Sequence, residues 1–209
     1  MTAEEIAERL RRHRPGVRRA PDDGSATHPR GDFELNPEFR EMNAQSRAAA
    51  VLVPIVDREA GPSLLLTVRT THLKAHAGQI AFPGGRLEPE DSGPVDTALR
   101  ETEEEIGLSR SHVRPIGELD LYLTRTGFSV TPVVALIEPP FTLQPDPGEV
   151  AEIFEVPLAF VLDPLSRQIH QREDRGAVRH FYVYPYGDYY IWGATAGMLN
   201  NLAEVLGGT

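Results

Sequence analysis

Residues 82–108 read FPGGRLEPEDSGPVDTALRETEEEIGL, and the second half has the marks of one two-faced helix. Asp91 or Ser92 is suited to cap its start, and Pro94 falls in the first turn, where a missing N–H does no harm. At 100° per residue, Val95, Ala98, Leu99, Thr102 and Ile106 lie on one flank, while Glu101, Glu104 and Glu105 gather on another. Glu103 points away from that acidic arc. Gly107 then ends the helix, because glycine accepts the left-handed conformation that closes many helices. Like charges three and four apart repel by about 0.2–0.5 kcal/mol per pair. A solvated surface is the ordinary account of such a run. The alternative is a bound dication, since carboxylates at i, i+3 and i+4 supply hard oxygen ligands, and Mg²⁺ favours a few carboxylates completed by water and substrate phosphates.

Working outward, residues 3–13 have helical spacing through Ile6 and Leu10 and run into Arg9, Arg11, Arg12, Arg14, Arg18 and Arg19, a cluster that reads as a solvated face. Pro21 to Pro37 is rich in Gly, Pro, Asp and Ser and reads as a connecting arm without packed structure. We therefore expect an N-terminal helix and arm over 1–46 and the main domain over 47–209. Within it, AAAVLVPIV and SLLLTVR flank DREAGP as a buried hairpin. HVRPIGELDLYL and FSVTPVVALIE read as further strands, and EVAEIFEVPLAFVL has helical spacing in its second half. REDRG joins QIHQ to AVRHFYVYPY as another hairpin. WGATAGMLNNLAEVL reads as a closing helix with Trp192, Ala196, Leu199 and Leu202 inward. The interleaving implies an α/β fold, a mixed sheet between helices. Tyr182, Tyr184 and Tyr186 alternate on their strand, which a half-buried sheet face explains without a ligand; stacking on adenine is the other reading.

Composition limits the function. The chain has 209 residues, 40% of them hydrophobic, enough for a core of its own. Without cysteine, disulfides, thiolate metal sites and a thiol nucleophile are excluded, and a cytoplasmic location is expected. MTAEEIAERLRRHRPGVRRA mixes acids with arginines and fits neither a secretory signal nor a transit peptide. No run approaches the roughly 18 apolar residues of a membrane span. A net charge of −10 argues against binding nucleic acid, which needs excess Lys and Arg. An anionic small substrate needs local cations.

Gly85, Arg100, Glu101, Glu104, Glu105 and Gly107 resemble the Nudix box, a glycine followed by a helix bearing R-E-x-x-E-E-x-G. Six specified residues at roughly 6% each match a given window by chance on the order of one time in ten million. Asp91 stands where a glutamate is usual, and the spacing from Gly85 to Arg100 is one residue longer than the common form. Both features are similar to the coenzyme A pyrophosphatase branch of the family, as is LLTVRTTHLKAHAGQIAFPGG from Leu65 to Gly85. There Thr70 replaces a small Ser or Ala, and Lys74 an arginine.

The resemblance implies a Nudix α/β/α sandwich with a central mixed sheet, monomeric or homodimeric. The activity it implies is cleavage of coenzyme A or its thioesters to 3′,5′-ADP and 4′-phosphopantetheine. Close alternatives are ADP-ribose, NADH or a nucleoside triphosphate, and a more distant one is a non-catalytic nucleotide sensor. Glu101, Glu104 and Glu105 would hold Mg²⁺ or Mn²⁺, and Arg100 would orient Glu101. Gly84 and Gly85 would let the backbone approach the helix, and Arg69 and Lys74 would contact phosphates, with His72 and His76 as weaker candidates. Glu149 and Glu152 follow the proline-rich loop, where such enzymes often supply a further ligand or base.

Overall fold

The computed structural model describes residues 1–16, 29–37, 46–72, 77–174 and 176–207. In chain order its elements are α1 (Ala3–Arg12), β1 (Arg30–Gly31), β2 (Arg47–Val56), β3 (Ser63–Arg69), β4 (Ile80–Ala81), β5 (Gly84–Arg86), α2 (Pro94–Ile106), β6 (Val113–Glu118), β7 (Tyr122–Leu123) and β8 (Phe128–Ile137). There follow β9 (Val150–Pro157), α3 (Leu158–Leu162), β10 (Gln168–Asp174), β11 (Ala177–Tyr186), β12 (Tyr189–Trp192) and α4 (Gly193–Gly207).

The main sheet is mixed. β2 and β8 run parallel from Arg47↔Phe128 to Val56↔Ile137, and β3 pairs antiparallel with both β2 and β9. Parallel strands are covered on both faces, and the apolar sequence of β2 meets that demand by alternation. Val53 and Ile55 join one core with residues of α1, α3 and α4, whereas Ala50 and Leu52 join a second with Ala98 and Ile106 of α2. The result is the expected α/β/α sandwich. β10, β11 and β12 form a separate antiparallel sheet, whose Tyr184 and Ile191 are buried in the first core. Tyr184 is thus a core residue. Among the described residues no helix is long and apolar enough to cross a membrane.

Three local expectations are corrected. Residues 21–28 lie outside the described residues, but 29–37 pack: Arg30 and Asn36 are buried, and β1 pairs in parallel with β7. Polar composition suggested an arm, yet Arg30 finds acidic partners at Asp120, Glu34 and Glu204, so its burial is compensated. Trp192 ends β12 and is only partly buried, because the positive φ of Gly193 separates strand from helix; Ala196, Leu199 and Leu202 are fully buried as expected. The N-cap of α2 is Gly93 and no side chain caps it, for reasons that lie in the site below. α1 has the expected amphipathic form. Burial of Ile6 and Leu10 contributes about 2–3 kcal/mol each.

Candidate active site

The glycine loop, α2 and the end of β3 converge on one cluster of charges. Asp91 does not cap α2 because Arg100 takes its carboxylate in a fork, Nε to Oδ1 at 2.9 Å and Nη2 to Oδ2 at 3.0 Å, while the Thr97 hydroxyl donates to it at 2.8 Å. Ser92 is engaged as well, its N–H donating to Asp96 at 3.1 Å. The Arg100 fork, with the Glu88 N–H, holds the Asp91 carboxyl far below the usual carboxylate range. The remaining reach of Arg100 goes to Glu101 at 2.9 Å, Glu104 at 3.2 Å and the Arg86 carbonyl at 3.2 Å. One guanidinium therefore ties the acidic arc of α2 to the loop before it.

The three arc glutamates differ in environment. Glu104 is exposed, Glu101 is partly buried, and Glu105 is only 4% exposed. Desolvation pushes the Glu105 carboxyl up to about 7; Arg69 and the Gly84 N–H oppose this, and Glu149 and Glu101 add to it. Desolvation raises Glu101 too, against the pull of Arg100. Glu103 is exposed and faces Arg110 at 3.5 Å, outside this group.

Close approach requires glycine at Gly84, where a Cβ would lie 2.3 Å from the Ala50 carbonyl oxygen, a distance at which backbone cannot yield; a Cβ on Gly85 would lie 2.3 Å from the Glu101 carboxyl carbon and would displace that carboxylate. Without a Cβ, the Gly84 N–H reaches Glu105 at 3.1 Å.

Arg69 at the end of β3 bridges Glu105 at 3.2 Å and Glu149 at 3.4 Å. Glu149 is brought there by a turn pinned at both ends. The Asp146 N–H donates to the Glu105 carbonyl at 2.9 Å, and the Thr70 N–H donates to the Glu149 carbonyl at 2.9 Å. The Thr70 hydroxyl donates to the Gly148 carbonyl at 3.0 Å. Sequence reasoning missed this use of Thr70, and no local pattern carries it, since its partners lie 78 and 79 positions away.

Glu152 is separated from the group. It shares the strand face of Phe154 and Val156, which pack in the core away from α2, and its carboxylate accepts from the Tyr189 hydroxyl. Tyr189 stacks on Phe154 with ring centroids 3.7 Å apart. His72 is exposed, and Lys74 and His76 lie outside the described residues. Among the described residues no three His, Asp or Glu side chains converge closely enough to hold a metal as they stand. Glu101 and Glu104 turn to Arg100, and Glu105 turns to Arg69.

A family model described as the NUDIX domain matches residues 46–181. The uncharacterized Nudix hydrolase NudL of Yersinia enterocolitica serotype O:8 / biotype 1B is 44% identical over 174 residues, covering 82% of this chain and 88% of that protein. NudL of Escherichia coli (strain K12) is 42% identical over 178 residues, covering 83% and 90%. Among solved structures, a binary complex of the C. elegans Ap4A hydrolase is similar with a TM-score of 0.45 and 21% identity over 53% of this chain and 80% of that one. The chain belongs to the Nudix hydrolase family. Its chemistry is hydrolysis of a phosphoanhydride in a nucleoside-diphosphate-linked substrate.

Proposed function

We propose that the substrate is coenzyme A or one of its thioesters, cleaved at the diphosphate to 3′,5′-ADP and 4′-phosphopantetheine. The observation that carries this reading is the pairing of the Leu65–Gly85 motif with the long-spaced glutamate helix, two segments whose ends meet where Arg69 contacts Glu105 at 3.2 Å. Family membership implies a divalent metal, and the donor set fits one: the carboxylates are hard oxygen ligands, and Glu105 and Glu101 are desolvated beside like charges, a strain that a dication relieves. Glu101, Glu104 and Glu105 would hold Mg²⁺ or Mn²⁺, which when bound supplies charge compensation for the diphosphate and acidifies a water.

The chain's own residues do the rest. Arg100 sets Glu101 and Glu104 at the right height, and the bare backbone of Gly84 and Gly85 lets the loop close on the helix. Arg69, moving from Glu105 and Glu149 to the substrate, offers a bidentate fork to a phosphate, and Lys74 supplies a second cation. Glu149, relieved of Arg69, takes a proton from the attacking water at Oε2. Glu152, on the opposite face and held by Tyr189, takes no part.

The test is a panel of coenzyme A, acetyl-coenzyme A, ADP-ribose and NADH with Mg²⁺ or Mn²⁺, products identified by mass. Release of 4′-phosphopantetheine is expected. Turnover of ADP-ribose or NADH with about a hundredfold greater kcat/KM would overturn the substrate assignment.

A further inference from the structure

Two arginines share one aromatic ring on the sheet face away from α2. Arg47 of β2 is the cross-strand partner of Phe128 in β8, and Arg86 of β5 is opposite Ala49, two residues along from Arg47. Alternation puts all three side chains on one face, where Phe128 and Ala49 pack against the core that includes α4. The guanidinium carbons of Arg47 and Arg86 lie 4.3 Å and 5.4 Å from the Phe128 ring centroid. The two charges therefore stand within a Debye length of each other at 0.1 M salt, about 10 Å.

Both arginines are exposed, and among the described residues neither has a carboxylate within ion-pair distance. Elsewhere in this chain of net charge −10, Arg12, Arg30, Arg58, Arg100 and Arg110 meet acids, whereas these two share a ring. A cation on a ring gains about 0.5–1 kcal/mol when exposed, which accounts for one arginine and leaves the repulsion between two. An anion between them removes it. Stacking also leaves the N–H edge of a guanidinium free for bidentate donation to phosphate.

The patch adjoins the active site through the backbone. Arg86 follows Gly85, which presses on Glu101, and its carbonyl accepts from Arg100. Among the described residues β5 pairs only with β2. A substrate that spans both groups has to reach around the other edge of β5, from the carboxylates on one face to the arginines on the other.

We propose that Arg47 and Arg86 form a subsite for a second phosphate of the substrate, a phosphate monoester separate from the diphosphate that is cleaved. This rests on the coenzyme A reading, because coenzyme A carries such a group on its ribose while ADP-ribose and NADH do not. The experiment compares coenzyme A with 3′-dephospho-coenzyme A as substrates of the wild type, Arg47→Gln, Arg86→Gln and the double variant. Calorimetric binding of adenosine 3′,5′-bisphosphate and of AMP is measured in parallel, with melting temperatures as a check on folding. In the double variant KM for coenzyme A should rise about tenfold or more with kcat within about twofold, as expected for loss of charge-assisted bonds made before and during reaction. KM for the dephospho substrate should not move, and affinity for the bisphosphate should fall to that for AMP. Equal losses on both substrates, or an unchanged preference for the bisphosphate, would overturn the subsite. If the wild type cleaves neither coenzyme, the substrate reading fails by itself, and the bisphosphate and AMP titrations still decide the subsite.

Discussion

Glu105 beneath the glycine loop and Asp120 beneath α1 and α4 are both 4% exposed, yet they titrate in opposite directions. Desolvation is the largest influence on each and raises both. For Glu105 it prevails, because only Arg69 and one backbone N–H oppose it while Glu149 and Glu101 add repulsion. For Asp120 it is outweighed by His13, the Gly16 N–H and Arg30, and the carboxyl falls well below the usual range. The distances explain the difference: Asp120 accepts from Gly16 N–H at 2.7 Å, Asn201 Nδ2 at 3.1 Å and Arg30 Nε at 3.2 Å, with His13 Nε2 at 3.3 Å. Burial sets the penalty, and the surrounding donors and charges decide its outcome. One carboxylate is fully compensated within the fold; the other is not.

The largest expected effect lies on the compensated side. Asp120→Asn removes the acceptor of a buried charge cluster and should cost about 3 kcal/mol in denaturant unfolding at pH 7. Since the folded pKa of Asp120 is depressed, its contribution is present above the unfolded value of about 3.9 and fades as pH falls below it. The gap between variant and wild type should narrow there. A cost under about 1 kcal/mol at pH 7 would mean that Arg30 and His13 do not depend on Asp120.

On the other side, Gln in place of Glu101, Glu104 or Glu105 should lower kcat by about two orders of magnitude, or about 2.7 kcal/mol. Glu103→Gln should stay within about twofold of wild type, because its partner is a surface arginine. An equal loss at Glu103 and Glu104 would show that the working face of α2 is another one.

The smallest effect sharpens the contrast in stability. Glu105 has its folded pKa raised from 4.5 to about 7, so its contribution is present below about 4.5 and lost as pH rises through about 7. Metal-free Glu105→Gln should therefore melt no lower than wild type at pH 8, with a gain of at most about 1 kcal/mol because the contact with Arg69 is also given up. At pH 5 no gain is expected. A variant clearly less stable than wild type at pH 8 would place Glu105 with Asp120 as a structural carboxylate.

Helix α2, its apolar flank, its acidic arc and its end at Gly107 are legible in the sequence because a helix fixes which side chains share a face within a few residues. The strands show for the same reason, their period of two being local. The close fit of Gly84 and Gly85 is legible only as glycines beside a motif; the Ala50 carbonyl that demands Gly84 and the Glu101 carboxylate that sits against Gly85 come from elsewhere. Nothing local distinguishes Glu149, held near Glu105 by Arg69 and Thr70, from Glu152, turned to the opposite face and to Tyr189. Nor does composition reveal that Arg30 is buried against Asp120, 90 positions away. The sequence by itself determined which residues could form each face, since that depends on backbone periodicity. Only the tertiary structure decided which charges meet and which way a buried carboxyl titrates, because desolvation and Coulomb interactions depend on distance through space.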